Sequence, residues 1–127
     1  MEKVKVVAAL IEKNGSFLIA QRASGHLAGK WEFPGGKVEE CESCEDAIVR
    51  EIYEELHISV RCNGFVYSTN IVDNNKEIEL LLYRCDYLSG EVVLHDHSSY
   101  IFVNKKLLLS YDLASADIEL AKYVVNI

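Results

Sequence analysis

The segment that decides the fold runs from Gly36 to Ile58 and reads GKVEECESCEDAIVREIYEELHI. Ser43 stands three residues before Asp46, a spacing typical of a side-chain cap at the start of a helix. Apolar residues then recur at helical spacing, which predicts one amphipathic helix from Ser43 to Leu56. The residues predicted to face the core are Val49, Ile52, Tyr53 and Leu56.

The opposite face of this predicted helix is crowded with acids. At about 100° per residue, Glu51, Glu54 and Glu55 share a narrow arc. Like charges three or four residues apart each cost about 0.2–0.5 kcal/mol on an exposed helix, and Arg50 can neutralise only part of that face. An oxygen-rich cluster of this kind suits Mg²⁺ or Mn²⁺. Three glutamates alone are more typical of a solvated helix face, so the wider pattern has to decide.

That wider pattern resembles the Nudix box, G-x5-E-x7-R-E-U-x-E-E-x-G-U, where U is an aliphatic residue. Eight of its nine fixed positions agree, at Gly36, Glu42, Arg50–Ile52, Glu54–Glu55 and Ile58. Three further segments look like the MutT branch and its CTP-pyrophosphohydrolase relatives, namely Ala20–Arg22, Trp31–Lys37 and Ala114–Asp117. The resemblance implies one α+β domain over residues 1–127, with a mixed sheet flanked by helices in α/β/α layers and a loop-helix-loop box.

The resemblance also implies the metal site. Glu51, Glu54 and Glu55 are expected to bind Mg²⁺, or Mn²⁺ as a substitute, with the backbone carbonyl of Gly36 as a further ligand. Arg50 is expected to orient Glu51 or Glu54, with Glu42 supporting the box from the outer metal shell. Asp96 occupies the place of a late glutamate in MutT-like proteins, so it is a candidate ligand or base. The alternative is that His95–His97 is only the polar end of a strand and that Asp96 has no catalytic role.

The same resemblance points to a nucleotide substrate. Arg22 and Lys37 are candidate contacts to phosphates, and Asp117 falls where MutT-like proteins read the base. An ionised Asp accepts hydrogen bonds from cytosine or from oxidised guanine, although Asp117 could also be a simple helix cap. The predicted reaction converts a modified or oxidised nucleoside triphosphate such as 8-oxo-dGTP, or CTP or dCTP, to the monophosphate and pyrophosphate, which cleanses the nucleotide pool.

His57 is the one departure from the box, which usually has glycine there. Glycine adopts the left-handed conformation that commonly ends a helix, and histidine is among the residues that tolerate it best. We therefore expect His57 to act as a tolerated cap. The alternative is a nucleotide-sensing module with impaired catalysis, which His57 and the shorter Asp96 would both favour.

Alternating patterns and turn residues outline the remaining elements. Strands are expected at Val4–Glu12, Phe17–Gln21, Trp31–Phe33, Ile58–Tyr67, Glu77–Asp86, Glu91–Leu94 and Tyr100–Val103. Turns are expected at Asn14–Gly15, Pro34–Gly36, Asp73–Asn75 and Ser89–Gly90, and short helices at Asn104–Leu109 and from near Ser115.

Composition narrows the classes of partner. The chain has 20 Asp and Glu against 13 Lys and Arg, a formal net charge of −7, which argues against a nucleic-acid polymer. No export signal and no long apolar run is seen, so a cytoplasmic monomer or homodimer without membrane contact is expected. Cys41 and Cys44 form a C-x-x-C that could hold zinc or act as a redox pair, but no second pair completes a four-ligand site. Reduced thiols are therefore expected.

Overall fold

The computed structural model describes all 127 residues as seven strands, two α-helices and one 3₁₀ helix. The strands are β1 (Glu2–Lys13), β2 (Ser16–Arg22), β3 (Trp31–Glu32), β4 (Gly35–Lys37), β5 (Ser59–Asp73), β6 (Lys76–Ser89) and β7 (His97–Asn104). The helices are α1 (Cys44–Leu56), α2 (Ser115–Val125) and the 3₁₀ helix Lys105–Ser110. No helix is long and apolar enough to cross a membrane.

Strand β1 lies at the centre of one mixed sheet with the order β3-β2-β1-β6-β5. It pairs in parallel with β6 over its whole length, and antiparallel with β4 and the start of β2. Strand β7 adds to β2, and β5 forms a long antiparallel hairpin with β6. Asn14, Gly15, Asn74 and Asn75 have positive φ angles, and the strands on either side of each pair are antiparallel, which confirms the hairpin predicted at Asn14–Gly15 and the turn predicted at Asp73–Asn75.

The two helices cover opposite faces of the sheet. Successive side chains of a strand point to opposite faces, so Ala8 and Leu10 join the cluster beneath α2, whereas Val7, Ala9 and Ile11 join the cluster beneath α1. Because the second half of β1 is buried on both faces, Val7–Ile11 is a continuous apolar run. The predicted α/β/α layering is confirmed.

Both ends of α1 lie where the sequence predicts them. The Ser43 hydroxyl accepts a hydrogen bond from the Asp46 amide at 3.1 Å. His57 has φ 57° and ψ 26°, and its amide donates to the Tyr53 carbonyl, so it is the expected left-handed cap. The predicted core face is partly wrong, because Val49 and Tyr53 are 42% and 56% exposed. The buried residues are Ala47, Ile48, Ile52 and Leu56, and the Tyr53 ring stacks on His57 instead.

The turn predicted at Pro34–Gly36 is also wrong, because Gly35 and Gly36 belong to β4 and pair with Ala8 and Val7. These glycines allow close approach of neighbouring atoms. A Cβ atom at Gly35 would overlap the Val7 carbonyl, and one at Gly36 would overlap the Glu51 carboxylate. The missing side chains therefore let β4 lie directly against β1 and α1.

The strand predicted at Glu91–Leu94 does not form. The Val93 amide donates to the Leu56 carbonyl at 3.0 Å, so this segment satisfies the end of α1 rather than a strand partner. Val92 and Leu94 pack against the apolar cluster beneath α1. Their alternating apolar pattern reflects this packing.

Candidate active site

Arg50 donates hydrogen bonds to three carboxylates of the box. Its Nε and Nη2 atoms donate to the two oxygens of Glu42 at 2.8 and 2.9 Å, and Nη1 donates to Glu51 at 2.7 Å and to Glu54 at 3.3 Å. Nη2 also donates to the Lys37 carbonyl at 3.0 Å, which ties α1 to β4. The Arg50 hydrogen bonds lower the pKa of Glu42 to about 2, helped by the Glu39 amide. The predicted orienting residue thus contacts all the partners expected of it.

The Glu55 side chain is only 13% exposed, so it does not lie on a solvated helix face, which was the alternative for the three glutamates. Burial, together with the charges of Glu32, Glu51 and Asp96, raises the pKa of its carboxyl group to about 8. Its Oε1 atom is buried without any hydrogen-bond partner. Such a group is at high energy as a lone anion, and a bound cation would relieve it.

A polar cleft of about 380 Å³ opens in front of Glu55 and has no apolar residue in its wall. It is lined by Arg22, Ser24, Glu32, Gly35, Glu51, Glu55, Asp96 and His97. Four carboxyl groups therefore face one arginine, a balance that favours divalent cations. No three His, Cys, Asp or Glu side chains already converge on one point. Glu51 and Glu54 are held by Arg50, so cation binding would require them to turn.

Glu32 and His97 line this cleft, and neither of them has a role in the site predicted from the sequence. Glu32 accepts from Arg22 Nη1 at 3.1 Å through Oε1, and its Oε2 lies 2.8 Å from His97 Nε2. The His97 side chain is 2% exposed, with Nδ1 lying 3.8 Å from Glu55 Oε2. Glu32 lies inside the segment that resembles MutT proteins, which was the available signal.

The histidines of His95–His97 do not form a common metal site. His95 is exposed, and its Nε2 lies 3.0 Å from Nε2 of His57 at the end of α1. His97 is buried on the other side, against Glu32. Asp96 between them lines the polar cleft, as a candidate ligand or base should.

A second, more apolar pocket of about 380 Å³ shares Arg22 and Glu32 with the polar cleft. Its apolar wall includes Val6, Ile71, Ile78, Leu80 and Ala116, and its polar residues include Asp117. A third pocket of about 220 Å³ shares residues with both and is lined by Lys37 and Gly36 among others. Arg22, Lys37 and Asp117, the three predicted substrate contacts, thus line neighbouring pockets.

Asp117 is buried, and its Oδ1 accepts from the Phe33 amide at 2.9 Å. It does not cap α2, whose N-cap Ala114 has no side-chain bond. Burial raises the pKa of Asp117 to about 8, although the Phe33 amide opposes the shift. The expected ionised form is therefore replaced at neutral pH by a mainly protonated carboxyl group, which can donate as well as accept.

This raised pKa predicts a stability change with pH. The unfolded chain releases the Asp117 proton near pH 3.8 and the folded chain near pH 8, so between these values the folded state holds the extra proton. Relative to Asp117→Asn, wild-type stability should fall by up to about 1.4 kcal/mol per pH unit from about pH 4 to pH 8. Urea unfolding of both proteins across this range measures the difference. A pH-independent difference would contradict a buried neutral Asp117.

The cysteines are free thiols. Cys41 is exposed, and no third His, Cys, Asp or Glu joins Cys41 and Cys44 in a metal-binding group. Burial raises the pKa of the Cys85 thiol above its usual range. The zinc alternative therefore has no support in the geometry.

Several known proteins are similar to this chain in sequence and in fold. A family model described as NUDIX domain matches residues 1–123. The CTP pyrophosphohydrolase of Escherichia coli (strain K12) is 40% identical over 121 residues, or 94% of this chain and 90% of that protein. The 8-oxo-dGTP diphosphatase of the same strain is 43% identical over 61 residues, 46% of this chain and 47% of that protein. The solution structure of the E. coli ORF135 protein has a TM-score of 0.89 at 38% identity, covering 99% of this chain and 91% of that chain.

Proposed function

Because the chain belongs to the NUDIX family, we propose that it releases pyrophosphate from a modified or oxidised nucleoside triphosphate in a Mg²⁺-dependent reaction. The coarser activity follows from the family and from its relatives: the chain is a Nudix hydrolase acting on phosphoric anhydrides of nucleotides. The observation that carries the finer proposal is Glu55, a buried carboxyl group with an unpartnered oxygen in the wall of an acidic cleft.

The donor set fits Mg²⁺, a hard cation that takes oxygen ligands. Glu51, Glu54 and Glu55 would hold it together with the carbonyl oxygen of Gly36. When bound, it neutralises charge on the phosphoryl oxygens and activates water. Because Glu55 is mainly protonated in the free protein at neutral pH, cation binding is accompanied by release of its proton.

The chain's own residues provide orientation and proton transfer. Arg50 keeps Glu51 and Glu54 on one side of the cleft through its Nη1 atom. Glu54 is 56% exposed and Asp96 is also exposed, so these two carboxyl groups are the ones placed to accept the proton of the attacking water. Arg22, 38% exposed at the junction of cleft and pocket, is placed to contact the phosphates.

The pocket beside the cleft suits a base. Its apolar wall can pack on a ring, and neutral Asp117 offers a hydroxyl donor and a carbonyl acceptor side by side. Cytosine presents a ring nitrogen acceptor beside an amine donor, and 8-oxoguanine presents a carbonyl acceptor beside a ring N–H. Both bases therefore complement the same carboxyl group, in agreement with the substrates that name the relatives.

A substrate panel tests the proposal. Pyrophosphate release is measured with Mg²⁺ for 8-oxo-dGTP, dCTP, CTP and, as a sugar-nucleotide control, ADP-ribose. We expect turnover of at least one triphosphate, yielding the monophosphate, and no cleavage of ADP-ribose. Tight binding without turnover of any member would instead support the nucleotide-sensing module, and cleavage of ADP-ribose alone would contradict the proposed substrate class.

His57 offers a direct test of the sensing alternative. Its backbone already has the left-handed geometry that glycine would adopt, so the helix end is undistorted. His57→Gly is expected to change turnover less than about twofold. Steady-state rates on the best substrate of the panel measure this. A gain of tenfold or more would mean that the histidine impairs catalysis.

A further inference from the structure

We propose that His97 is a positioning residue that fixes the Glu32 carboxylate between Arg22 and Glu55, and thereby sets the cation affinity of the site. The inference rests on the proposed function, since it assumes that Glu55 binds Mg²⁺. It assigns a role to two residues outside the box.

The first step is the bonding of Glu32. One of its oxygens accepts from Arg22 at 3.1 Å, and the other lies 2.8 Å from His97 Nε2. A carboxylate can only accept, so His97 must carry its proton on Nε2 to make this bond. The two donors hold Glu32 from opposite sides, and a carboxylate held in this way has little freedom to turn.

The second step is the direction of the other ring nitrogen. Because Nε2 is used by Glu32, the other ring nitrogen, Nδ1, is free for a second partner, and it faces Glu55 Oε2 at 3.8 Å. It is buried and has no partner. A histidine that served only the core would normally have both nitrogens satisfied. The Nδ1 atom of His97 instead faces the polar cleft, and only a group bound in that cleft can be its partner.

The third step is the grouping of such atoms. The chain has three buried side-chain atoms without a partner, Arg22 Nε, His97 Nδ1 and Glu55 Oε1. All three belong to the row Arg22–Glu32–His97–Glu55, which we call the carboxylate row. All four residues of the row line the acidic cleft, and Arg22 and Glu32 also line the apolar pocket beside it. Unsatisfied atoms confined to one row in the wall of a cleft indicate that a ligand bound there completes them.

The fourth step is the electrostatic effect of Glu32 on Glu55. Both carboxyl groups line the same polar cleft, and the buried His97 ring lies against both of them, 2.8 Å from Glu32 and 3.8 Å from Glu55. A negative charge held beside a ligand also strengthens its hold on a cation. If His97 no longer held Glu32, that charge could swing away towards Arg22 and Glu55 would bind Mg²⁺ less tightly.

Three substitutions at His97 separate this role from a packing role. Glutamine reaches the position of Nε2 and can keep the bond to Glu32, whereas asparagine reaches only the position of Nδ1, and leucine fills the space without any donor. We expect His97→Leu and His97→Asn to weaken Mg²⁺ binding about 10–100-fold. His97→Gln should stay within about threefold of wild type because the donor is restored.

Isothermal titration of the full chain with Mg²⁺, without nucleotide, gives these affinities, and thermal unfolding without metal reports packing. His95→Leu is the matched control, because that neighbouring histidine contacts His57 and not Glu32, and its Mg²⁺ affinity should not change. A merely structural role would lower the unfolding midpoints of the Leu and Asn variants and leave their Mg²⁺ affinities within twofold of wild type. That result would overturn the inference.

Failure of the inference is distinguishable from failure of the proposed function. If the wild-type protein hydrolyses a triphosphate and every His97 variant binds Mg²⁺ as tightly as the wild type, only the role of His97 is refuted. If the wild-type protein binds no Mg²⁺ at all, both the role of His97 and the proposed function are refuted. If the leucine variant fails to fold, the comparison of asparagine with glutamine decides the question by the same titration.

Discussion

Replacing both Glu54 and Glu55 with glutamine is expected to lower turnover by at least about a thousandfold, since metal-assisted charge neutralisation contributes several kcal/mol and each 1.4 kcal/mol is about tenfold in rate. Glutamine keeps the shape of each side chain and removes its charge. Pyrophosphate release and Mg²⁺ titration measure the loss of both activity and cation affinity. Turnover within tenfold of wild type would exclude these carboxylates as the cation site.

The control for this double substitution is Glu45→Gln, an exposed acid in the first turn of the same helix. Its turnover should be unchanged. Folding provides a second control, because the folded pKa of Glu55 is about 8 against 4.5 unfolded, so its charge costs stability as pH rises between these values. At pH 8 and without metal, the double variant should therefore unfold no earlier than wild type. Earlier unfolding would trace the lost activity to misfolding.

Arg50→Lys is expected to lower turnover about a hundredfold, the scale seen when residues that orient metal ligands are removed. Lysine keeps the charge but not the fork that holds both Glu42 oxygens while also reaching Glu51. Steady-state rates and the dependence of rate on Mg²⁺ concentration measure the effect, and the unfolding midpoint should fall as well.

Arg61→Lys is the matched control for the arginine substitution. Arg61 is 65% exposed and pairs with Asp86 at 3.1 Å, remote from the box. A single exposed ion pair contributes little, so its rate should stay within about twofold of wild type. If the two lysine variants behaved alike, the orienting role of Arg50 would be refuted.

Local chemistry made much of the fold predictable from the sequence. The start of α1 depends on a serine hydroxyl three residues from an amide, and its end on a histidine that tolerates positive φ. Both hairpins depend on residues that accept left-handed geometry at Asn14–Gly15 and Asn74–Asn75. Arg50 and Glu54 lie close because they are one turn apart on α1, whereas Glu42 lies before the helix and reaches Arg50 through the folded loop.

The wrong predictions concern contacts between distant segments. Gly35 and Gly36 resemble a turn in isolation, and only the approach of Val7 and Glu51 explains them as strand residues. Tyr53 has core-like character, yet a histidine ring at the helix end is its partner. Apolar and polar residues alternate in segment 91–94 as they do in a strand, but its Val93 amide donates to the Leu56 carbonyl at the end of α1. Except for His57, which lies four residues from Tyr53, none of these partners lies within a local window of the sequence.

The same contrast between local patterns and contacts between distant segments applies to the candidate site residues. The role of Glu32 depends on Arg22 from β2 and His97 from β7, which lie next to each other only in the folded sheet. The protonation of Asp117 depends on burial, which residue type cannot reveal. Sequence similarity therefore indicated the candidate site residues, and the three-dimensional contacts were needed to give the protonation state of Asp117 and the partners of Glu32.

The parallel pairing of β1 with β6 has a consequence for biosynthesis. Glu2 lies beside Lys76 and Glu12 beside Asp86, so the central strand must wait for a partner that is translated more than about seventy residues later. Apolar side chains such as Leu10 and Ile19 belong to the cluster beneath α2, so they stay uncovered until Ser115–Val125 has also left the ribosome. The nascent chain thus passes through a long interval of exposed strand edges, in which chaperone protection has most to offer.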